Sequence, residues 1–348
     1  MIHNLIFIQW TNNFGGLEKI SQLYEGKFHY YNPLVVILQY NKSGLNYKNF
    51  YAFYENSKPL FIYSYLLFVR KNRKSIFHIQ YAGTTILLLT FLAGARKIIF
   101  HFHGTKFPNN YFNKLIWKQF KNKVIIIANS LHTKKIIKDR LKINTNISII
   151  PNLIDLHEFK FIERVYNNGE RFTVTFAGRF DKGKNIDLIL ATAKTLIHYD
   201  DEIEFLLVGD GPEKGNIERQ IKENQLESVV KILPFTKEIL EIYYRSHLFI
   251  FTSLYESFGN VVAEAVLTGL PILCYKIPAL TELINDDFFF IENQDPNFVA
   301  EKIIEFKKNY MLVNQRLKKV FSYLSEYLNN EIIVDKLDSI YKGLSIKR

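Results

Sequence analysis

The residues best able to do chemistry are two glutamates, Glu256 and Glu264, in the stretch Thr252-Ser253-Leu254-Tyr255-Glu256-Ser257-Phe258-Gly259-Asn260-Val261-Val262-Ala263-Glu264. An apolar run ending at Phe251 predicts a strand, and Asn260–Leu267 predicts a helix. The loop between them carries Glu256. Such a turn aims backbone N–H groups and a helix N-terminus at the sheet's carboxyl edge, which favours an anion there. Gly259 permits close approach to the backbone around Phe258 and Asn260. A carboxylate accepts hydroxyl protons well and is costly to bury without partners. The plainer alternative makes Glu256 a capping acid and Glu264 an exposed helix residue.

A second group, Ala177-Gly178-Arg179-Phe180-Asp181-Lys182-Gly183-Lys184, follows another apolar run and opens another helix. Gly178 and Gly183 allow backbone approach. Arg179 supplies a planar fork of donors and Lys184 a compact charge, the combination a diphosphate requires. The spacing is neither that of a Walker loop nor Gly-x-Gly-x-x-Gly, which argues against a dinucleotide oxidoreductase. A basic surface turn is the alternative. Val208-Gly209-Asp210-Gly211-Pro212 ends a further strand, and Gly209 there would shape the rim of a nucleotide pocket.

In the first half, Asn12-Asn13-Phe14-Gly15-Gly16-Leu17 joins a strand to a helix, and Gly15 and Gly16 would expose N–H groups to a ligand. His103, in His101-Phe102-His103-Gly104, stands just past a strand end where it can reach a sugar hydroxyl. A lone histidine is otherwise structural. No third ligand lies near His101-x-His103, so no metal site is expected.

These residues need a frame. Strands are expected at Leu5–Gln9, Leu34–Leu38, Ile76–Ile79, Lys97–His101, Val124–Ala128 and Ile147–Ile150, then at Phe172–Phe176, Phe205–Val208, Val229–Leu233, Leu248–Phe251 and Pro271–Cys274. Helix-length amphipathic stretches separate them. Near-continuous apolar strands with such connections imply parallel sheets covered on both faces. A charged, turn-rich break follows Pro151-Asn152-Leu153-Ile154-Asp155, after which the plan restarts. The expected architecture is α/β with two doubly wound domains, over residues 1–155 and 165–330. A helix over 331–348 either stays with the second domain or crosses back to the first.

Composition limits the partners. The one cysteine, Cys274, lies in an apolar run, which rules out an internal disulfide framework and fits a reducing, cytoplasmic setting. No secretory signal and no run long enough to span a membrane is visible. Through residue 150 there are 21 Lys/Arg against 4 Asp/Glu, and after it 24 against 30. The asymmetry points to an anionic partner for the first half (nucleic acid, a membrane surface or a phosphate-bearing lipid), the plainer alternative being a merely solvated basic surface. Phe61–Val69 with Arg70, Lys71, Arg73 and Lys74 reads either as a helix on an anionic membrane surface or as a buried helix with a solvated basic end.

Taken together, the motifs resemble those of the retaining glycosyltransferases of family 4 (glycosyl transferases group 1), most strongly over about 148–285. The Glu-x7-Glu pair in its Tyr-Glu-Ser-Phe-Gly-Asn setting is the most specific element. The resemblance implies the GT-B fold, two facing Rossmann-like domains with an interdomain cleft. It also implies roles. Arg179 and Lys184 hold the donor diphosphate, Glu264 the ribose, Glu256 the donor sugar, and Phe258, Gly259 and Asn260 sugar hydroxyls and phosphate. Gly15, Gly16 and His103 face phosphate and sugar from the first domain. No cofactor and no metal is implied. The expected reaction moves a sugar from a nucleotide-sugar, UDP being the commonest, to a glycan or lipid-diphosphate-linked acceptor at the inner membrane face, in lipopolysaccharide or capsule biosynthesis. The alternatives are a sugar-nucleotide 2-epimerase of the same fold and a basic nucleic-acid-binding protein, for which no recognition signature is present. Lys276-Ile277-Pro278-Ala279-Leu280 stands where relatives often carry a glycine pair, which leaves the donor sugar open.

Overall fold

The computed structural model describes residues 4–346 except 12–15, 43, 55–56, 81, 105–109, 144, 168, 198 and 201. It divides into two compact units, Met1–Asp155 with Leu328–Arg348, and Leu156–Tyr327. The first contains β1 (Leu5–Thr11), α1 (Gly16–Lys27), β2 (Leu34–Gln39), β3 (Phe50–Ala52), α2 (Lys58–Lys71), β4 (Ile76–Gln80), α3 (Gly83–Leu92), β5 (Ile98–Phe102), α4 (Tyr111–Phe120), β6 (Ile125–Ala128), α5 (Leu131–Leu141) and β7 (Ile147–Ile149). The second contains β8 (Phe172–Ala177), α6 (Ile186–Leu196), β9 (Ile203–Val208), α7 (Lys214–Glu223), β10 (Val230–Leu233), α8 (Ile239–Arg245), β11 (Leu248–Phe251), α9 (Asn260–Leu267), β12 (Ile272–Tyr275), β13 (Phe290–Ile291), α10 (Pro296–Lys308) and α11 (Tyr310–Tyr327). The chain then returns to the first unit with α12 (Asn330–Ile346).

All strand pairs are parallel, in the orders β3-β2-β1-β4-β5-β6-β7 and β10-β9-β8-β11-β12-β13. The apolar runs explain this, since β4, β5 and β8 are buried at every position and can only sit between two helical layers. In the first sheet, Ile98, Phe100 and Phe102 face a layer made from α2 to α5. The alternate positions face α1 and α12, where Ile333, Leu337, Tyr341 and Leu344 are buried. At about 1.5–3 kcal/mol for each such side chain, that stripe holds α12 against the first sheet. Ser130 Oγ accepts from Thr133 N (3.0 Å) and Asn110 Oδ1 from Asn113 N (2.9 Å), starting α5 and α4.

The expected strands are all present, and the structure adds two short ones at sheet edges, β3 and β13. The 61–69 stretch is neither wholly buried nor wholly exposed. It lies in α2, which buries Tyr65 and Val69 and exposes Leu60, Ile62, Tyr63 and Leu67. The segment after Asp155 docks on the second unit: Arg164, nearly buried, donates to the carbonyls of Ile162 and Tyr243 (both 3.0 Å), and Asn314 Nδ2 donates to Arg164 O (2.9 Å).

In both sheets the chain order reverses direction beside the first strand, between β1 and β4 and between β8 and β11. The helices after those strands leave to opposite faces, opening a crevice at the carboxyl edge where ligands of such sheets bind. The predicted site residues sit at these edges.

Candidate functional site

In the second unit three loops meet at the carboxyl edge. The loop after β8 is zipped to the loop after β9: Gly178 N donates to Val208 O (3.0 Å), Phe180 N to Asp210 O (2.9 Å), and Glu213 N to Phe180 O (3.0 Å). Only glycine fits at 209, because a Cβ there would lie 2.0 Å from the Gly178 carbonyl oxygen. Phe180 is fully buried beneath this zipper, so its neighbour Arg179 projects outward. Among the described residues the Arg179 guanidinium makes no hydrogen bond or ion pair. Lys184 was expected inside a helix. It ends a 3-10 turn instead, held by Asp181, whose Oδ1 accepts from Gly183 N (2.8 Å), and Asn185 then starts α6 from a left-handed conformation.

The third loop, after β11, is stapled onto that turn. Thr252 Oγ1 donates to the carbonyls of Lys184 (2.8 Å) and Asn185 (3.1 Å), and Leu254 N donates to Gly183 O (2.9 Å). The staple brings two predicted residues into contact. The Lys184 ammonium pairs with Glu256 Oε1, which also accepts from Ser253 Oγ (3.1 Å). Both side chains are about one-fifth exposed, at 20% and 17%, so loss of either leaves a poorly solvated partner. Lys184 Nζ also lies 5.1 Å above the Phe251 ring. Gly259, at φ 103°, caps α9 in a conformation that a side chain would strain, and Phe258 beside it is buried. Asn260 opens the helix and Glu264 lies one turn on. The Glu264 charge reaches Tyr243, whose phenol is held well above its ordinary range by burial first and this carboxylate second. The edge therefore offers two cations, a carboxylate and a helix N-terminus together. That arrangement can bind a diphosphate and a hydroxylated ring.

The first unit's edge is chemically different. His103 is buried, and its Nδ1 lies 3.0 Å from Asn152 Oδ1. A carboxamide oxygen only accepts, so His103 carries its proton on Nδ1 and Nε2 has the acceptor lone pair. Burial pushes the imidazole down to about 4 against the opposing effect of Asn152. The His101 ring lies 3.9 Å from that of His103, tilted by 34°. His101 Nδ1 meets His78 Nε2 (3.2 Å), and His78 Nδ1 meets the Tyr341 hydroxyl from α12 (2.7 Å). Burial, with the neighbouring imidazoles, lowers His78 to about 3 and His101 well below its usual value. All three are neutral at physiological pH. Gly16 begins α1, and Gly15 lies outside the described residues.

Thr252, Ser253 and Asn152 stand inside the sequence motifs with no role that the motifs themselves assign. Their roles depend on partners distant in sequence, and only a hydroxyl or amide beside a predicted site residue signalled them.

Comparison with known proteins places this architecture. Residues 158–320 match the sequence model of the family Glycosyl transferases group 1, and residues 37–158 match that of Glycosyltransferase Family 4. The chain belongs to the group 1 glycosyltransferases. It is a transferase enzyme with the GT-B fold. It is 26% identical over 289 residues to the N-acetyl-alpha-D-glucosaminyl L-malate synthase of Bacillus anthracis, covering 78% of this chain and 75% of that protein. It is 20% identical over 227 residues to the phosphatidylinositol N-acetylglucosaminyltransferase gpi3 subunit of Schizosaccharomyces pombe, covering 63% of this chain. There it spans only about half of the relative's length, 49%. The structure of Anabaena HepE in complex with UDP and glucose matches with a TM-score of 0.80 at 16% identity, over 97% of this chain and 98% of that one. Both family models are of transferases, and the epimerase alternative is not favoured.

Proposed function

We propose that this glycosyltransferase takes a sugar from a UDP-sugar, with retention of anomeric configuration, and passes it to a glycan or lipid-linked glycan acceptor in cell-surface polysaccharide assembly. The observation that carries this reading is the Lys184–Glu256 pair, stapled beside Arg179 and the N-terminus of α9. The pair presents a cation for the diphosphate and, adjoining it, a carboxylate for the sugar that diphosphate carries. The UDP and glucose in Anabaena HepE, and the N-acetylglucosaminyl transfer named for two relatives, support the choice of donor.

In the proposed reaction the acceptor hydroxyl adds to the anomeric carbon on the face from which the diphosphate departs. The bond from that carbon to the phosphate oxygen breaks, and the departing oxygen takes the hydroxyl proton. Arg179, Lys184 and the α9 N–H groups stabilise the negative charge that grows on the leaving group. Glu264 holds the ribose, and the neutral His103 accepts a sugar hydroxyl proton at Nε2. Fixed cations fill the role a divalent metal would otherwise have. Peripheral contact with anionic membrane belongs to the same reading. It is supported by the exposed Leu60, Tyr63 and Leu67 of α2 beside Arg70 and Lys71, and by Tyr111, Phe112 and Leu115 of α4 beside Lys114 and Lys118.

The test is NMR observation of UDP-N-acetylglucosamine, UDP-glucose and GDP-mannose incubated with the protein and a panel of methyl glycosides. Turnover of a UDP-sugar to a product of unchanged anomeric configuration is expected. Turnover of GDP-mannose alone, or an inverted product, would overturn the reading.

A further inference from the structure

The carboxyl edge of the first sheet holds a polar side chain that no role above uses. Gln80, the last residue of β4, is 1% exposed, and neither its Nε2 nor its Oε1 has a hydrogen-bond partner among the described residues. A buried carboxamide left open at both ends costs about 1–3 kcal/mol for each unmet group. Nearly every buried polar group in a folded protein is satisfied by something.

Its surroundings say what that something is. Gln80 pairs in register with His101 of β5, and it lies one step beyond the last β1–β4 pair, Ile8–Ile79, which makes Gln9 of β1 its other neighbour. Gln9 is also buried. Its Nε2 donates to Thr11 O and to Tyr47 Oη (both 2.7 Å), while its Oε1 has no partner among the described residues. These positions share one face of the sheet with His78, because side chains two apart in a strand point the same way. The row also sits at the reversal point between β1 and β4, with α1 on one face and α3 on the other.

Every described residue on this row is uncharged. Gln9 and Gln80 are amides, and the low pKa of His78 and His101 keeps them neutral. The phenol of Tyr341, whose hydroxyl meets His78 Nδ1 (2.7 Å) and no other partner among the described residues, donates its hydrogen bond to that nitrogen. His78 then donates to His101 Nδ1. The relay fixes the row without adding charge. Among the described residues of this row a phosphate or carboxylate meets no cation. A neutral carboxamide, offering a donor and an acceptor side by side, matches two adjacent hydroxyls of which one accepts and the other donates.

We propose that the Gln80 carboxamide, with Gln9 Oε1 beside it, binds a pair of neighbouring hydroxyls on the acceptor, so that Gln80 selects a neutral sugar or other polyol ring. This rests on the reading of the chain as a transferase with a hydroxylated acceptor. It does not depend on the loops of the second unit.

The test compares the full-length protein with Gln80→Met, which keeps the side chain's shape and removes its polar atoms, and with Gln80→Leu. The probes are methyl α-D-glucopyranoside and methyl α-D-mannopyranoside, followed by saturation-transfer NMR and paired with melting temperatures with and without UDP. We expect the wild type to bind at least one glycoside in the millimolar range and both variants to bind it about tenfold more weakly, the loss of about one to two hydrogen bonds. Their melting temperatures should match or exceed the wild type, because two unmet buried groups are gone. A lowered melting temperature with unchanged glycoside binding would overturn the proposal and assign the amide to internal water. Absence of binding by the wild type would overturn it too. Loss of the UDP response in the wild type counts against the donor site alone and leaves the glycoside result to stand for Gln80.

Discussion

The two units share a strand order and a parallel sheet, yet their carboxyl edges use opposite means. In the second unit the edge is charged and half-open: Lys184 and Glu256 pair at about one-fifth exposure, and Arg179 points out beside them. In the first unit the described edge is a row of uncharged, buried amides and imidazoles running from Gln9 through His103, with one carboxylate, Glu18, accepting from Thr11 at the end of β1 (2.7 Å). On the proposed function, the difference follows from what each edge binds. A diphosphate requires charge that is already in place, whereas hydroxyls require hydrogen-bonding groups of defined donor or acceptor sense and gain nothing from a cation. One sheet plan thus supports both chemistries, because the strand ends and loops differ while the cores do not.

The largest effect should come from the charged edge. Lys184→Ala is expected to lower the transfer rate by about 10²–10³-fold, the usual loss when one fixed donor to a developing charge is removed. Adding Glu256→Gln should cost less than the two separate losses combined, since the residues touch. Initial rates at saturating donor check both, and strict additivity would break the pairing.

Backbone packing gives the next largest effect. Gly209→Ala must push a Cβ against the Gly178 carbonyl and should destabilise the second unit by about 3 kcal/mol. Gly215→Ala meets nothing within 4 Å in α7 and should stabilise by up to about 1 kcal/mol. Urea denaturation of the pair separates a tight zipper from an ordinary turn.

Acid should separate the units. Buried His78 and His103 are pushed down to about 3 and about 4, against an ordinary 6.5. As pH falls below about 6.5 the unfolded chain takes up protons that the folded first unit excludes. Its stability is therefore fullest above that pH and is lost progressively as pH falls toward 4 and 3. Among the described histidines of the second unit, His247 alone is lowered in the same sense. Both tryptophans, Trp10 and Trp117, lie in the first unit. Tryptophan fluorescence should accordingly show an earlier melt at pH 5 than circular dichroism, which reports both units. Coincident curves would contradict the contrast.

Two smaller effects sharpen it. Leu60→Ser with Leu67→Ser should reduce co-sedimentation with phosphatidylglycerol vesicles several-fold while leaving nucleotide binding unchanged. EDTA should leave the transfer rate unchanged, because the charge on the leaving group is met by side chains.

Much of this was legible in the sequence, for physical reasons. Near-continuous apolar runs such as Ile98–Phe102 read as central strands, and α9 spans the expected Asn260–Leu267. The edge strands were not legible, because the three residues of β3 and the two of β13 are too few to show a period. Nor did the sequence disclose contacts closed by the fold. Lys184 and Glu256 are separated by 72 positions, and each had been read as acting alone. Asn152 looked like turn punctuation, and Gln80 fell one residue past the expected strand Ile76–Ile79. The return of α12 to the first unit was undecided, since an amphipathic helix names its buried face and not its partner.

The most direct test of the central claim is amide hydrogen exchange of the full-length protein with and without UDP. The account predicts slowed exchange in the loops at 178–185 and 209–213 and at the start of α9, where N–H groups meet the diphosphate. Unchanged exchange in those loops, or protection confined to the first unit, would contradict it.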